Sequence, residues 1–248
     1  MTATARRARG DALDIFRALA LFAMVGYHLI WDLSDFGFIG SHAPFTPAMR
    51  IYSHTVASMF LLIVGISLAL AHQNGAHWRG YFFRLSKVAA AALLVTLASS
   101  QFAPGFTIWF GILHLIVAAS LFAAPLLFAP IGIGFAVGVA ALVIGFSVHV
   151  EAFDPPALMW LGIGTYQPWT LDWRPLLPWA GMAWIGLDLG RFALSRFASA
   201  PLWTWHAQGK PLHLIAWLGR HSLAFYLLHQ LPLFALLYAF AWMLGSNS

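Results

Sequence analysis

Long apolar runs, separated by short polar or proline- and glycine-containing breaks, follow one another along almost the whole chain. A helix needs about 20 apolar residues to cross a bilayer. Seven runs meet or approach that length and are predicted as transmembrane helices, at residues 13–33, 51–71, 85–102, 106–124, 130–149, 175–194 and 221–244. An eighth apolar stretch, at residues 157–165, is too short to cross and is interpreted as re-entrant or interfacial. The pattern predicts an all-α, polytopic membrane protein with about seven transmembrane helices.

Turn-forming residues such as Ala103-Pro104-Gly105 mark the breaks between these runs. No break is long enough to hold a soluble domain, so the sequence predicts a single transmembrane domain over residues 1–248. The small-residue motifs Gly134-x-x-x-Gly138 and Gly186-x-x-x-Gly190 predict faces on which helices pack closely. No internal repeat is visible, so an inverted-repeat transporter receives no support from the sequence.

Basic residues are concentrated in alternate breaks, and this indicates the orientation of the chain, because cytoplasmic loops carry an excess of Lys and Arg. With a cytoplasmic N-terminus, eleven of the 13 basic residues face the cytoplasm, and only Arg50 and Arg174 do not. The eleven are Arg6, Arg7, Arg9, Arg17, Arg79, Arg84, Lys87, Arg191, Arg196, Lys210 and Arg220. The sequence therefore predicts a cytoplasmic N-terminus, and this topology explains the net charge of +5 without a nucleic-acid partner.

Composition supports the bilayer as the main solvent, since 61% of the residues are hydrophobic and 8% are charged, against about 25% charged in soluble domains. The chain has no Cys, which excludes disulfides, thiolate nucleophiles, iron–sulfur clusters and zinc–cysteine sites. We expect no metal. The arginine-rich start before the first apolar run resembles a signal peptide, but no small-residue cleavage site follows, so this run is interpreted as a retained first helix.

Ionisable side chains inside membrane segments are costly and indicate function. In the first segment, His28 and Asp32 are spaced i,i+4 and therefore share a helix face. A carboxylate there fixes the tautomer of the imidazole, which can then act as a general base or as a nucleophile. The sequence leaves these two roles open. Asp14 and Arg17 form an i,i+3 pair nearer the inner end of the same segment.

Four further ionisable residues fall within predicted segments. His54 opens the second segment on the outer side, where we expect it to approach His28. His114 and His229 lie too deep for their side chains to reach the interface, which favours function. Asp188 has Arg191 at i+3 and is interpreted as a paired structural acid.

Five short motifs occur in a fixed order. They are Asp14-x-x-Arg17 with Met24-Val25-x-Tyr27-His28, Phe60-Leu-Leu-Ile-Val-Gly65-Ile-Ser67, Phe110-Gly-Ile-Leu-His114, Leu177-Pro178-Trp179-x-Gly181, and Gly219-Arg220-His221-Ser222-Leu223-x-x-Tyr226-x-x-His229. In this order the chain resembles the heparan-alpha-glucosaminide N-acetyltransferase catalytic-domain-like family of bacterial membrane proteins. The resemblance extends from residue 11 to about residue 232. Each motif is weak by itself, and their order makes the resemblance specific.

The resemblance implies a transmembrane acyltransferase. It implies transfer of an acetyl or other acyl group from cytosolic acetyl-CoA or acyl-CoA to a sugar or similar amine or hydroxyl acceptor. It also implies a multi-pass protein of the bacterial inner (plasma) membrane, in contact with the lipid bilayer. A homo-oligomer is one expected state. Heparan sulfate itself is not the acceptor we expect in a bacterium.

Roles for individual residues follow from this reaction. We expect His28 to act as the base or as the acyl-accepting nucleophile, with Asp32 orienting it. We expect His114 or His229 to polarise the carbonyl or to carry protons. Because acyl-CoA carries several phosphates, basic residues of the cytoplasmic face are candidates to bind it, namely Arg17, Arg84, Lys87 and Arg220.

Two other classes of protein fit the buried polar residues. A proton-coupled transporter uses buried His, Asp and Arg, and it would move a solute without consuming a thioester. A bis-histidine haem protein uses paired histidines as iron ligands, and it would be red with a Soret band. An acyltransferase would be colourless.

Overall fold

The computed structural model describes residues 10–75 and 77–245, which form nine α-helices and contain no strand. Short 3-10 turns and loops join the helices. The helices are α1 Ala12–Asp35, α2 Pro47–His72, α3 Trp78–Phe102, α4 Ile112–Ala123, α5 Ile133–Ser147, α6 Leu176–Arg196, α7 Lys210–Arg220, α8 Ser222–Leu228 and α9 Gln230–Gly245. Three of the basic residues used to predict the orientation, Arg6, Arg7 and Arg9, lie outside the described residues.

Four stretches of the described chain are long and apolar enough to cross a membrane. They are α1, α2, α3 and the continuous stretch Ser222–Gly245. Helices α4 and α5 are also apolar, but they contain only 12 and 15 residues. The prediction of an all-α, polytopic membrane protein is confirmed. Each of the seven predicted segments contains helical chain, while the cytoplasmic N-terminus stays a prediction.

The structure differs from the sequence-based expectation at His229 and at α7, while the interpretation of residues 157–165 as re-entrant or interfacial stays a prediction. In the predicted segment 221–244 the helical hydrogen-bond pattern is interrupted at His229, between α8 and α9, while the backbone of His229 keeps α-helical angles. Pro232 accounts for the break, because its ring clashes with the carbonyl four residues earlier, at Leu228. Helix α7 was not predicted, since 11 residues of mixed polarity do not form a span. Residues 157–165 contain a 3-10 turn at Met159–Leu161 and no α-helix.

The chain forms two compact units. One consists of residues up to 56 together with those from 199 onward, and the other consists of residues 57–198. Helix α2 contributes its first turns to one unit and the remainder to the other. The assignment of residues 1–248 to a single domain stays a prediction.

In the first unit, α7 packs along α1, and α8 and α9 pack on α1 as well. The backbones of α1 and α7 meet closely at Gly219, where an added Cβ would strike the carbonyl of Asp14. Main-chain hydrogen bonds hold the start of α1 against the segment before α7. Gly10 N–H donates to the carbonyl of Trp203 at 2.9 Å. Glycine at 219 is therefore what allows the two helices to approach.

In the second unit, small residues line the contact between α5 and α6. A Cβ added at Gly138 would lie 2.7 Å from the carbonyl of Gly181. Gly186 and Gly190 of α6 face α2 in the same way, against Leu62 and Ala69. The predicted role of both small-residue motifs in close helix packing is confirmed.

Replacing Gly219 by Ala is expected to destabilise the protein, because the new methyl group would collide with a main-chain carbonyl that cannot rotate away. Overpacking of this kind costs about 1–3 kcal/mol of unfolding free energy. The matched control is Gly80→Ala, since Gly80 lies in α3 with open space at its Cβ position. Thermal unfolding in detergent measures the difference. Equal midpoints for the two variants would contradict the close approach of α1 and α7.

Candidate active site

Two histidines from distant parts of the sequence meet in the first unit. His28 lies in the second half of α1, and His229 lies at the break between α8 and α9. Their ring centroids are 5.0 Å apart, with the ring planes tilted by 54°. The side chain of His28 is half-buried, and His229 is only 9% exposed. The structure thus brings together two of the four predicted catalytic residues.

Hydrogen bonding fixes the tautomer of His229. Its Nδ1 lies 2.6 Å from the carbonyl oxygen of Tyr226. Because a carbonyl can only accept a hydrogen bond, Nδ1 carries the proton and Nε2 of the neutral ring carries the lone pair. Nε2 is buried, and no partner for it exists among the described residues. His229 therefore presents an unbonded basic nitrogen in an apolar setting.

Asp32 lies one turn beyond His28 on α1 and is 3% exposed. Its Oδ1 accepts a hydrogen bond of 2.6 Å from Nε2 of Gln230, the residue that follows His229. In the described part of the chain, Asp32 Oδ2 and Gln230 Oε1 are buried without a hydrogen-bond partner. Buried polar atoms are normally satisfied, so this cluster is a candidate binding site for a ligand with N–H or O–H groups.

Aromatic side chains surround the histidine pair. Tyr27 contacts His28 edge-on, with ring centroids 5.6 Å apart, and it also contacts Trp31 and Tyr52. Tyr52 belongs to the first turns of α2, and its hydroxyl donates to the carbonyl of Ala23 at 2.7 Å. These rings exclude water and lower the local dielectric constant, which strengthens electrostatic interactions at the pair. His54, two residues further along α2, is half-buried, and its expected approach to His28 stays a prediction.

A second polar cluster lies at the start of α1. The carboxylate of Asp11 accepts hydrogen bonds from Arg220 at 2.8 Å and from Ala207 N–H at 3.0 Å. Nδ1 of His206 lies 3.5 Å from the same carboxylate. Burial opposes ionisation of Asp11, but the Ala207 N–H and the two neighbouring basic side chains outweigh it and hold the pKa of this carboxyl below its usual value.

The four candidate ligands of CoA are found in two different settings. In the first unit, Arg17 pairs with Asp14 in the next turn of α1, and Arg220 pairs with Asp11. In the second unit, Arg84 and Lys87 are exposed on α3. Arg17 is half-buried and Arg220 is exposed, and each pairs with a buried carboxylate, which needs such a partner. A guanidinium group has five N–H donors and can bind more than one oxygen at the same time.

Arg17 and His28 lie along one face of α1. They are 11 residues apart, which is about three turns of an α-helix. Leu21 and Met24 lie between them on the same side and are buried, at 1% and 7% exposure. Helix α1 therefore presents a basic group near its start and an imidazole further along, separated by an apolar stretch.

His114 lies in the second unit, where both of its ring nitrogens have partners. Nδ1 accepts from Gly111 N–H at 3.3 Å, and Nε2 lies 3.1 Å from the hydroxyl of Thr96. That hydroxyl donates its proton to the carbonyl of Ile108, so Nε2 of His114 is the donor. These bonds anchor the start of α4, which favours a structural role. The predicted catalytic role of His114 stays a prediction.

Asp188 accepts hydrogen bonds from main-chain N–H groups at the start of another helix, α5. Its Oδ2 accepts from Gly132 N–H at 2.6 Å and from Phe135 N–H at 3.2 Å, at the start of α5. Arg191 lies 3.4 Å from its other oxygen and donates to the carbonyl of Ala129. The interpretation of Asp188 as a paired structural acid is confirmed.

Sequence reasoning missed two residues of these clusters, Asp11 and Gln230. Asp11 lies three residues before Asp14, so a polar helix start was visible, but its partner Arg220 is 209 positions away. Gln230 directly follows His229, but its amide is uncharged, so a search for ionisable residues in membrane segments does not find it. An amide next to a buried histidine is the signal that could have identified it.

These features define a polytopic helical membrane protein in which a half-buried and a buried histidine meet, the buried one with an unbonded nitrogen within the described chain. The chain belongs to the family described as heparan-alpha-glucosaminide N-acetyltransferase, catalytic, whose model matches residues 9–231. The resemblance drawn from the five motifs is thereby confirmed, and the matched range includes His28, Asp32, His229 and Gln230. No curated protein and no solved structure matches the chain. The protein is a membrane-embedded member of an acetyltransferase family.

Replacing Asp11 by Asn is expected to lower the free energy of unfolding at neutral pH by about 1–2 kcal/mol, since a partly exposed ion pair loses its charge. Because folding lowers the pKa of Asp11, its contribution is fully present above the usual carboxyl value near 3.8 and is lost as pH falls through the lower folded-state value. The stability gap between wild type and variant should therefore close on acidification.

Thermal unfolding in detergent, measured from neutral to acidic pH, tests this expectation. Asp35→Asn is the matched control, because Asp35 is an exposed acid on α1. A gap for Asp11→Asn that is absent at neutral pH, or that persists undiminished at the acid end, would contradict the role of the Asp11 carboxylate.

Proposed function

We propose that this protein transfers an acetyl or other acyl group from acyl-CoA to an amine or hydroxyl acceptor such as a sugar. The observation that supports it best is the contact between His28 and His229, with Nε2 of His229 buried and unbonded within the described chain. A lone pair in that setting is suited to remove a proton from an attacking nucleophile. Membership of an acetyltransferase family supports the same reaction.

In the direct route, a histidine of the pair removes the proton from the acceptor N–H or O–H while that atom attacks the thioester carbonyl carbon. The carbon–sulfur bond then breaks, and the imidazolium returns the proton to the departing thiolate. The products are the acylated acceptor and free CoA thiol. Contact between the two rings lets the second imidazole stabilise the charge that forms on the first.

In the covalent route, a ring nitrogen of His28 attacks the thioester carbonyl carbon and the carbon–sulfur bond breaks. The proton on the other ring nitrogen passes to the departing thiolate, which leaves CoA thiol and a neutral acyl-imidazole. The acceptor then attacks this acyl group and regenerates the free histidine. In this second step His229 takes the proton of the acceptor and returns it to His28 as the acyl–nitrogen bond breaks. Exchange of labelled CoA into acetyl-CoA without acceptor distinguishes the routes, since only the covalent route supports it.

Arg17 and Arg220, whose guanidinium groups pair with Asp14 and Asp11, are proposed to hold the phosphates of the donor in the first unit. Exposed Arg84 and Lys87 remain candidates for the same role in the second unit. Bidentate geometry favours arginine for phosphate, while lysine contributes a point charge.

The acceptor is proposed to bind at the cluster of unbonded acceptor atoms beside the histidines. Asp32 Oδ2 and Gln230 Oε1 would each take a hydrogen bond from an N–H or O–H group. Aromatic rings such as Tyr27 would pack on the apolar faces of a sugar. A bacterial inner-membrane location and a homo-oligomeric state belong to the same proposal.

Turnover of acetyl-CoA by the purified protein in detergent, read as thiol release, tests the proposal. His28→Ala and His229→Ala are each expected to lower turnover about 100-fold or more, because general-base catalysis contributes about 10²–10⁴-fold. His213→Ala is the matched control, since His213 is exposed on α7. Wild-type turnover in both pair variants would contradict the assignment.

The remaining alternatives give different results in the same preparation. Absence of thiol release with acetyl and longer acyl-CoAs, together with proton-driven solute uptake in vesicles, would indicate a transporter. A Soret band would indicate a haem protein. Direct contact between the rings of His28 and His229 argues against haem, because iron bound by two histidines lies between them.

A further inference from the structure

Gln230 links the two histidines to each other through helix α1. It begins α9 directly after His229, and its amide donates to Asp32 at 2.6 Å. Asp32 lies one turn after His28 on α1. The hydrogen bond from Gln230 to Asp32 therefore connects the residue next to His229 with the residue one turn after His28.

The ring of His229 packs against His28 of α1, but within the described chain the hydrogen bonds of His229 are all made within its own helix. His229 lies between Leu228, the last residue of α8, and Gln230, the first of α9, and its backbone keeps α-helical angles, with φ −59° and ψ −32°. Its N–H bonds the carbonyl of Phe225 and its ring bonds the carbonyl of Tyr226, and both partners lie in α8 itself. Neither bond reaches α1. The bond from Gln230 to Asp32 does.

We propose that Gln230 and Asp32 form a positioning pair that holds Nε2 of His229 against His28 for proton transfer. The pair acts through His229 and does not exchange the proton itself. The inference rests on the proposed acyl transfer and adds to the acceptor-binding role of Gln230 a second role, made by its amide nitrogen, that depends on its contact with α1.

The chemistry of the pair supports a positioning role over simple packing. Apolar residues of similar volume would pack two membrane helices together at least as well, because a buried charged group loses its hydration. A carboxylate–amide bond is instead short and directional, and in a low-dielectric interior it resists displacement. Directional fixation is what a proton acceptor needs, since a misplacement of about 1 Å can cost about 100-fold in rate.

The first test compares Gln230→Ala with Gln101→Ala, an exposed glutamine in the last turns of α3. Gln230→Ala is expected to lower kcat about 10- to 100-fold. KM for acetyl-CoA should change by less than about twofold, because donor binding is untouched. Thermal midpoints confirm that both variants fold. Wild-type kcat in Gln230→Ala would overturn the inference, as would a defect confined to KM.

The second test exchanges the partners. Gln230→Glu alone places a second carboxylate against Asp32 and is expected to lower kcat. Asp32→Asn combined with Gln230→Glu restores one amide and one carboxylate in the same two places, and kcat should rise about tenfold or more above that of Gln230→Glu. No recovery in the double variant would show that hydrogen-bonded positioning is not what Gln230 supplies.

A third readout does not depend on turnover. Diethyl pyrocarbonate modifies unprotonated imidazole nitrogen, and mass spectrometry of the peptide that contains His229 measures the rate. Loss of the Gln230 amide should free the ring and raise this rate about tenfold, while Gln101→Ala leaves it unchanged. Equal rates in wild type and Gln230→Ala would overturn the positioning pair. If wild type releases no thiol, the proposed function fails, and this measurement still decides the inference.

Discussion

A bilayer offers no water to the polar groups of α1, and this constraint organises the unit that contains the histidine pair. Each carboxylate in or beside α1 that is buried has a polar partner. Asp11 bonds Arg220 at the start of the helix, and Asp32 bonds Gln230 near its end. Two bonds at separate points along α1 fix where α7 and α9 lie on it. The contact between the histidines depends on that placement.

The sequence predicts the same kind of role for His114 and His229, because both lie deep in predicted membrane segments. Their hydrogen bonds show how they differ. His114 uses one nitrogen to accept from Gly111 and the other to donate to Thr96, so its ring completes the start of a helix. His229 uses Nδ1 to satisfy Tyr226 and leaves Nε2 without a partner in the described chain. A nitrogen already bonded by its own helix would have to break that bond to accept a proton. An unbonded one does not.

Local sequence patterns predicted the long helices, because the length of an apolar run is enough to identify a membrane span. The i,i+4 spacing of residues also predicted which polar side chains share a face of α1. Partners distant in sequence could not be predicted. The bonds of Gln230 and Asp11 cross 198 and 209 positions, and no periodicity encodes them. Helix α7 could not be predicted from the length of an apolar run, because it is short and of mixed polarity. The break at His229 did have a local signal in Pro232, which a reading for continuous spans overlooks.

The spacing of polar groups along α1 also limits the shape of the donor. Arg17 and His28 share a face, and 11 residues of helix separate them by about 16 Å. In the proposed reaction, a donor with its charged head at Arg17 and its reactive carbon at His28 must be extended over that length. Acyl-CoA has this form, with phosphates at one end and a thioester at the end of a long arm. A compact acyl donor such as an acyl phosphate could not reach both residues at once.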